Sequence, residues 1–426
     1  MNNKNKLIPE LRFPEFSEVR KWEMKRISEL GKIINGLTGK SGEDFGTGKP
    51  FVTYKQVFDN SVIDFQKCAR VQIGENENQN SLQKGDILFT TSSETPSEVG
   101  FASVLIDSPK EETYLNSFCF SLRPFSLEET QPQFSRYLFH SSIFRKAIIS
   151  LAQGSTRYNI SKAGFLNIMV PVPKSKEQQK IASCLSSLDE VIVAHSRKLE
   201  LLKDHKKGLM QSLFPQGGEK APKFRFKEFE KDGEWIERKL EELAKRGSGH
   251  TPNKQVSNYY NGGIKWVSLA DSNKLDSRYV YDTKIQISKE GIENSSAVLH
   301  PAGTVILSRD AGVGKSAILH SEMAVSQHFI VWVCDESKLS NWFLYYVFQI
   351  LKPVFESIAV GSTIKTIGLP YFKELLIIIP SVNEQLKIAS CLFSLDELIT
   401  AQAEKIEQLK QHKKGLMQGL FPKMND

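Results

Sequence analysis

The sequence predicts a mixed α and β protein (α/β or α+β) with two similar globular domains, separated by two long helices that form an antiparallel coiled coil. Three observations predict this class. A stretch of about forty residues occurs twice, with apolar residues at helical spacing. The segments before the two copies begin and end alike. Between those ends, short β-forming runs are broken by Gly, Pro, Asn and Ser.

The repeated stretch covers residues 177–214 and 384–421, and the copies align without a gap, so that Gly208 matches Gly415. Apolar residues alternate spacings of four and three along both copies, which is typical of a coiled-coil seam. Polar residues interrupt the seam at matched positions, His195 with Gln402 and Lys206 with Lys413, and such residues fix helix register. The predicted apolar seam is Ile181, Leu185, Leu188, Ile192, Leu199, Leu202 and Leu209 in the first copy, and Ile388, Leu392, Leu395, Ile399, Ile406, Leu409 and Leu416 in the second.

Each predicted helix is roughly 55 Å long at 1.5 Å per residue. That length exceeds what one small domain can cover, so we expect the two seams to bury each other. Gly208 and Gly415 lie inside the last turns, where glycine costs about 1 kcal/mol relative to alanine. They suggest a close backbone approach, either by the other helix or by a partner chain. Pro215 and Pro422 end the helices.

The repeat extends beyond the helices. Phe13, Phe16 and Trp22 near the N-terminus match Phe226, Phe229 and Trp235, and a short amphipathic helix is predicted after each tryptophan. Residues 154–173 likewise match residues 361–380. Both globular domains therefore open and close in the same way.

Residues 34–150 and 246–357 share only a skeleton, in which Gly85 to Leu88 matches Gly303 to Ile306 and Val99 to Leu105 matches Val313 to Leu319. We expect short strands here, with one helix at about 133–151 and another at about 339–358. A common scaffold with differing loops is typical of domains whose loops recognise different binding partners. The predicted division is a first globular domain at 1–173, a central helix at 174–215, a hinge at 216–222, a second globular domain at 223–380 and a C-terminal helix at 381–426.

An antiparallel helix pair would place the two domains at opposite ends, related by an approximate two-fold axis. This geometry suits a target with two separated half-sites, as duplex DNA offers. The formal net charge of +7 favours a polyanionic partner only mildly, because solvated lysine faces give similar values. A second function therefore stays open: a coiled-coil scaffold whose domains bind proteins and read no DNA.

Composition narrows the protein class. With 40% hydrophobic and 25% charged residues, the chain is globular and is not disordered by composition. No secretion signal or membrane-spanning run is indicated. The five cysteines are far apart and form no Cys-x-x-Cys pair, which disfavours disulfides and zinc and fits the cytoplasm. No catalytic constellation is evident, and no metal ligands are predicted.

The whole chain resembles the specificity subunit of a type I restriction-modification enzyme, a bacterial defence system. The resemblance rests on three motifs that occur in both helical copies: Glu-Gln (177–178 and 384–385), Leu-Asp-Glu (188–190 and 395–397) and Lys-Lys-Gly-Leu-Met-Gln (206–211 and 413–418). Two copies that flank divergent domains make this resemblance specific.

The resemblance implies a subunit without catalysis of its own, whose two target-recognition domains each bind one half of a bipartite double-stranded DNA sequence. Its helices would set the spacing of the half-sites and bind two modification subunits that methylate adenine. S-adenosylmethionine, ATP and Mg would be bound by these and by the restriction subunits, and no cofactor by this chain.

Candidate DNA contacts lie in polar loops, where any single residue is also explained as solvated surface. In the first domain they are Lys40, Lys49, Lys55, Lys67, Arg70, Ser92, Ser93 and Thr95, and in the second His250, Lys254, Lys265, Arg309 and Lys315. The closing turns add small hydroxyls and a cation, which suit a phosphate but also suit a tight turn that caps a helix. These turn residues are Ser155, Thr156, Arg157, Tyr158 and Asn159 in the first domain, and Ser362, Thr363, Lys365 and Thr366 in the second.

A nucleotide-dependent enzyme is a third hypothesis, and it rests only on residues 311–316, AGVGKS. A phosphate-binding loop requires a further glycine where Arg309 stands. The matching segment of the first domain also lacks the Gly-Lys-Ser. We therefore expect a β turn at this position.

Overall fold

A computed structural model describes residues 7–19, 21–310, 312–361 and 365–423. The chain divides into two compact units. The first unit comprises residues 1–196 and 404–426, and the second unit comprises residues 197–403. Each unit thus combines a globular part, the first half of the long helix that follows it, and the end of the other long helix.

The first unit is built from short strands, most of them in a four-stranded and a three-stranded sheet. Their bounds are β1 Glu23–Arg26, β2 Gly31–Asn35, β3 Phe45–Val52, β4 Ala69–Val71, β5 Ile87–Thr90, β6 Ser92–Ser93, β7 Ala102–Val104, β8 Tyr114–Leu115, β9 Cys119–Pro124, β10 Tyr158–Asn159 and β11 Met169–Val172. The sheet orders are β2-β9-β5-β7, β4-β3-β8, β1-β11 and β10-β6.

Short helices cover the four-stranded sheet, and the long helix α6 follows the last strand. The bounds are α1 Ile27–Leu30, α2 Tyr54–Asp59, α3 Pro132–Leu138, α4 Ser142–Ile149, α5 Lys162–Asn167 and α6 Ser175–Leu213. The core between sheet and helices is aromatic, because Phe89 and Phe120 on neighbouring strands meet Phe144 and Phe165 from the helices.

The second unit repeats this plan with a five-stranded and a four-stranded sheet. Its strands are β12 Ile236–Lys239, β13 Ala244–Ser248, β14 Tyr260–Val267, β15 Tyr279–Val280, β16 Ile285–Ile287, β17 Leu299–His300, β18 Val305–Ser308, β19 Ser316–Leu319, β20 Met323–Val325, β21 Phe329–Cys334 and β22 Leu376–Ile379. The sheet orders are β13-β21-β18-β19-β15, β16-β14-β20-β17 and β12-β22. Its helices are α7 Leu240–Leu243, α8 Lys289–Glu293, α9 Asn341–Ile358, α10 Leu369–Lys373 and α11 Val382–Gly419.

The glycines that match before β5 and β18 explain part of the shared skeleton. Gly85 has φ +87° and Gly303 has φ +82°, in the left-handed region that side chains disfavour. Each glycine turns the chain into the central strand of its sheet. The two sequences therefore keep glycine here while their loops differ.

Both long helices bury the predicted seam, and every seam residue is buried or half-buried. In the first unit, Ile181 and Leu185 of α6 share a core with Leu420 and Phe421, which follow α11. Farther along α6, Asp189 pairs with Lys413 at 2.5 Å. Residue numbers thus increase along α6 in the direction in which they decrease along α11, so the two helices pair antiparallel in this unit.

The second unit has the reciprocal arrangement. Leu213 and Phe214 at the end of α6 pack with Ile388 and Leu392 near the start of α11. Lys206 pairs with Asp396 at 2.6 Å, so the helices are antiparallel here too. The predicted mixed class with a coiled coil is confirmed within each unit. Over the described residues, no helix combines the length and apolar character needed to cross a membrane.

The short amphipathic helix expected after each tryptophan is present as a single turn, α1 or α7, whose two apolar end residues are buried. Two other local expectations need correction. The helix expected at 133–151 is split, since Ser141 caps a new helix through the Phe144 amide. Of the two approaches suggested at Gly208 and Gly415, the one by the other helix is wrong, because a Cβ at either position would have nothing within 4 Å among the described residues. The approach by a partner chain stays a prediction.

Candidate nucleic-acid interface

The polar loops of the first unit converge at the end of its central sheet. The Thr91 amide donates to the Phe118 carbonyl at 2.9 Å, and the Ile160 amide donates to the Thr91 carbonyl at 3.1 Å. These bonds join the loop after β5, the turn before β9 and the closing segment. Segments that are far apart in the sequence are thereby joined by backbone hydrogen bonds. We call this hydrogen-bonded arrangement the backbone frame of the unit.

Candidates predicted from two different segments pair directly on this frame. Ser93 lies opposite Tyr158 and Ser92 opposite Asn159 in the antiparallel pair of β6 and β10. Asn159 is exposed, and Tyr158 and Ser92 are half-buried. The exposed Arg157 side chain forms no ion pair with any described residue, so its charge is available to a phosphate.

The second unit carries the same frame. The Arg309 amide donates to the His328 carbonyl at 3.1 Å, and the Ile367 amide donates to the Arg309 carbonyl at 3.0 Å. The bridge between Val360 and Thr366 corresponds to that between Gln153 and Asn159 in the first unit. Two unlike loop sequences therefore adopt one hydrogen-bonding pattern.

The side chains on this frame differ in size and charge between the units. Thr91 corresponds to Arg309, Ser92 to Asp310, Phe118 to His328, Tyr158 to Lys365 and Asn159 to Thr366. The first set is neutral and partly aromatic, whereas the second contains three charged side chains, Arg309, Asp310 and Lys365. A frame of this kind presents different hydrogen-bonding groups at the same positions, as the readout of two different base sequences requires.

Asp310 organises the frame of the second unit. It accepts a hydrogen bond from Thr366, lies 2.6 Å from Nδ1 of His328, and has Nε of Arg309 at 3.7 Å. The Arg309 Nε is buried and has no hydrogen-bond partner among the described residues. Bidentate contact of arginine with guanine is the commonest specific base contact, and such a contact by Arg309 stays a prediction.

Several predicted cations are engaged within their own unit. Lys40 pairs with Glu77, and its hydrogen bond lowers the pKa of Glu77 to about 2. Lys265 donates to the Tyr281 carbonyl at 2.6 Å, and Lys315 pairs with Asp276 at 2.6 Å. A DNA contact by these lysines would require the exchange of an existing partner.

The remaining candidates that the structure describes lie on the surface, and one of them, Lys365, lies on the frame. Arg70 contacts the Gly48 carbonyl and Glu111, and Lys67 lies 3.5 Å from Asp64. Lys49, Lys55, Thr95, Ser155, Thr156, His250, Lys254 and Lys365 are exposed. Ser362 and Thr363 lie outside the described residues. In the first closing turn, the residue that caps the next helix is Ser161, through the Gly164 amide. All of these contacts stay predictions.

Residues 312–315 lie in the turn between β18 and β19. Gly312 and Gly314 have φ of +83° and +82°, and the flanking strands pair antiparallel. A phosphate-binding loop joins a strand to a helix, so the chain context differs from that motif. Among the described residues, no group of His, Cys, Asp and Glu could hold a metal ion.

Sequence reasoning missed the polar junction between each globular part and its helices. In the first unit, Asp189 accepts a hydrogen bond from Tyr137 at 2.8 Å and pairs with Lys413 and Arg136. Burial raises the pKa of Tyr137 to about 12. The hydroxyl thus stays a neutral donor to the carboxylate.

The second unit forms the equivalent junction. Asp396 accepts from Tyr346 at 2.8 Å and pairs with Lys206, while burial raises the pKa of Tyr346. These contacts give the Leu-Asp-Glu and Lys-Lys-Gly motifs a physical role. In each unit, the aspartate of the Leu-Asp-Glu motif on one helix pairs with the lysine of the Lys-Lys-Gly motif on the other helix. The same aspartate accepts a hydrogen bond from a tyrosine of the globular part. The sequence signal that was available for this junction is a tyrosine at equivalent positions of the two globular parts, Tyr137 and Tyr346.

The Glu-Gln motif anchors the start of each long helix. Glu177 accepts two hydrogen bonds from Arg12, both at 2.8 Å, and Glu384 accepts two from Arg225 at 2.8 and 2.6 Å. The following glutamine donates to the carbonyl of the preceding proline in both copies, at 3.0 Å. Bidentate pairs of this kind add geometric specificity as well as binding energy. Both helices therefore begin with the same contacts to their globular parts.

Comparison with known proteins agrees with this organisation. Residues 19–204 and 232–411 match the type I restriction modification DNA specificity domain family. The type I restriction enzyme MjaVIII specificity subunit of Methanocaldococcus jannaschii is 24% identical over 422 residues, covering 96% of this chain and 92% of that protein.

Two solved structures share the fold. The S subunit of a type I system from M. genitalium aligns with a TM-score of 0.58 at 15% identity, covering 98% of this chain and all of that one. A chain from a study of complex assembly and conformational transition in the type I R-M system aligns with a TM-score of 0.59 at 18% identity, covering 94% and 97%. This protein belongs to the type I restriction-modification DNA specificity family and is a specificity subunit with two target-recognition domains.

Proposed function

We propose that each unit of this specificity subunit reads one half of a bipartite double-stranded DNA sequence, and that the chain itself has no catalytic activity. In this proposal the long helices set the spacing of the half-sites and bind two modification subunits. Those subunits methylate adenine with S-adenosylmethionine, while restriction subunits supply ATP- and Mg-dependent cleavage. The complex works in the cytoplasm, where its DNA lies.

One observation carries the proposal: the two units repeat a backbone frame and change the side chains on it. A protein-binding scaffold gives no reason for two copies of this frame that carry different side chains. At corresponding positions the first unit has Thr91 and Phe118, and the second unit has Arg309 and His328. A reader of two different half-sites requires this combination, because base edges differ while the duplex backbone does not.

Exchange of one globular part tests the proposal. Residues 34–150 are replaced by the matching segment of a relative with another target, and the variant is expressed with its modification subunits. Single-molecule sequencing then identifies the methylated genomic sequence. We expect one half of the methylated sequence to change and the other to persist. Unchanged methylation in a complex that assembles normally would favour the protein-interaction scaffold instead.

The helix ends suggest where the modification subunits bind. In the second unit, Lys198, Leu201, His205 and Gly208 form an exposed stripe on α6 at spacings of three and four. In the first unit, Lys405, Gln408, His412 and Gly415 form the matching stripe on α11. Leu201 is 61% exposed, and each stripe ends at a glycine that contacts nothing within 4 Å at its Cβ position.

Three of the four positions are identical in the two stripes, namely Lys, His and Gly. Glycine in an exposed helix interior is unfavourable for this chain alone. The same glycine allows a second backbone to approach closely. We therefore assign each stripe to a helix of one modification subunit, with its closest approach at Gly208 or Gly415.

A further inference from the structure

The first unit contains a pocket of about 370 Å³ beside its backbone frame, a size that holds small ligands. Its lining includes Tyr54, Phe58, Ser93, Glu98, Phe118 and Arg157. Aromatic faces, the carboxylates of Glu94 and Glu98 and a cation thus surround one opening. Five of the lining residues were not recognised from the sequence as parts of a site, namely Tyr54, Phe58, Glu94, Glu98 and Phe118.

Phe118 stands at the rim and is 60% exposed. Its backbone is fixed on both sides: its amide donates to Oδ1 of Asn116 at 2.9 Å, and its carbonyl accepts from the Thr91 amide at 2.9 Å. A large apolar side chain that projects into solvent from this fixed backbone is mostly unused for packing in this unit. DNA-binding proteins insert such residues as wedges between base pairs.

The inner wall offers stacking surface and hydrogen-bond acceptors. The rings of Tyr54 and Phe58 lie parallel with centroids 5.9 Å apart, and the Tyr54 hydroxyl donates to the Ser92 carbonyl at 2.7 Å. Glu98 accepts from the Ser93 hydroxyl at 3.1 Å, which leaves carboxylate lone pairs for another donor. A planar ligand with an amino group fits this chemistry.

We propose that Phe118 inserts at a base step of the half-site read by the first unit, and that the pocket receives an unstacked, amino-bearing nucleobase from that step. The inference rests on the proposed function and names what the first unit does with its bases. The pocket rim includes Arg157, which would hold the phosphate of the displaced nucleotide. Adenine, cytosine and guanine carry the required amino group, and thymine does not.

The position of the second unit that matches Phe118 carries a different kind of side chain. His328 takes the place of Phe118, lies 2.6 Å from Asp310 through Nδ1, and is half-buried. An imidazole tied to a carboxylate is a hydrogen-bonding group and a poor wedge. The unstacking should therefore be confined to one half-site, and the other half-site serves as an internal control.

Fluorescent bases test the proposal in the complex of this chain with two modification subunits. Duplexes carry the methylated target sequence with 2-aminopurine or pyrrolocytosine at single positions of either half-site. The adenine that becomes methylated is left natural, because base-modifying enzymes extrude their target base. The variants are Phe118→Ala, Phe118→Trp and the control Phe125→Ala. Phe125 is 65% exposed in the same unit and does not line the pocket.

We expect a several-fold fluorescence rise at one position of the first unit's half-site. Phe118→Ala should abolish the rise and weaken specific binding about tenfold, the range of one lost base stack. Phe118→Trp and Phe125→Ala should retain the rise. An absent rise, or a rise that persists in Phe118→Ala, would overturn the pocket assignment.

Affinity for the target duplex relative to a scrambled duplex is measured in the same titration. Sequence preference without a fluorescence rise refutes the pocket and leaves the proposed function standing. Loss of any preference for the target in the wild-type complex refutes the proposed function itself. The two failures are therefore distinguishable.

Discussion

Replacement of the exposed helix glycines by alanine should have opposite effects on the free chain and on the complex. At Gly208 and Gly415 an added Cβ meets nothing within 4 Å among the described residues, and neither glycine has a positive φ. Alanine is favoured over glycine by about 1 kcal/mol in such a helix position. Each substitution should therefore raise the free energy of unfolding of the free chain by about 1 kcal/mol.

The same methyl group should impede assembly if a partner helix approaches closely at these glycines. Overpacking of a close contact typically costs about 1–3 kcal/mol, which weakens binding by a factor of roughly 5 to 150. Urea unfolding followed by circular dichroism gives the first quantity. Calorimetric titration with purified modification subunit gives the second.

Lys207→Ala is the matched control, because Lys207 is exposed on the same helix but lies off the stripe. It should change neither quantity appreciably. Glycine variants that are stabilised and still bind the modification subunit with wild-type affinity would refute the close-approach reasoning. Variants that destabilise the free chain would refute the conclusion that these positions are open.

Two further substitutions test the helix junctions and one tests pH dependence. Asp396→Ala should lower the free energy of unfolding by about 3 kcal/mol, because it leaves Lys206 and the buried Tyr346 hydroxyl without their acceptor; urea unfolding measures it. A double-mutant cycle with Tyr346→Phe should give a coupling energy of about 1 kcal/mol. Burial lowers the pKa of His140 from 6.5 to about 4, so the unfolded chain binds the proton first and stability should fall as pH drops through that window. His140→Asn should flatten the dependence.

A specific result would contradict each of these three expectations. An Asp396→Ala variant within 0.5 kcal/mol of wild type, roughly the spread of surface substitutions, would show that the junction does not stabilise the unit. Additive effects in the cycle would show that Tyr346 and Asp396 act independently. Identical pH profiles for wild type and His140→Asn would remove His140 as the titrating group.

The long helices could be predicted because their signal is local. Seam spacing, matched Glu-Gln starts and terminal prolines all lie in consecutive residues, and the structure places every seam residue at least half-buried. The break between α3 and α4 was not predictable in the same way. The residues around it suit one continuous helix, but the Ser141 side chain accepts a hydrogen bond from the Phe144 amide and begins a new helix.

The candidate interface was only partly predictable because its frame is assembled from distant segments. Ser92 and Asn159 were proposed separately, and pairing of β6 with β10 brings them together. Phe118 carried no charge or hydrogen-bonding group to single it out. Lys40 and Lys315 were proposed for their charge, but that charge is matched by carboxylates of the same unit.

The most direct test of the account compares methylated genomic sequences from hosts that carry single substitutions on the two frames. Asn159→Asp changes the first unit, and Arg309→Lys changes the second. Single-molecule sequencing should show that each substitution alters or relaxes one half of the bipartite sequence, and that the two substitutions affect different halves. If both substitutions altered the same half, or either altered both halves, the assignment of one half-site to each frame would be contradicted.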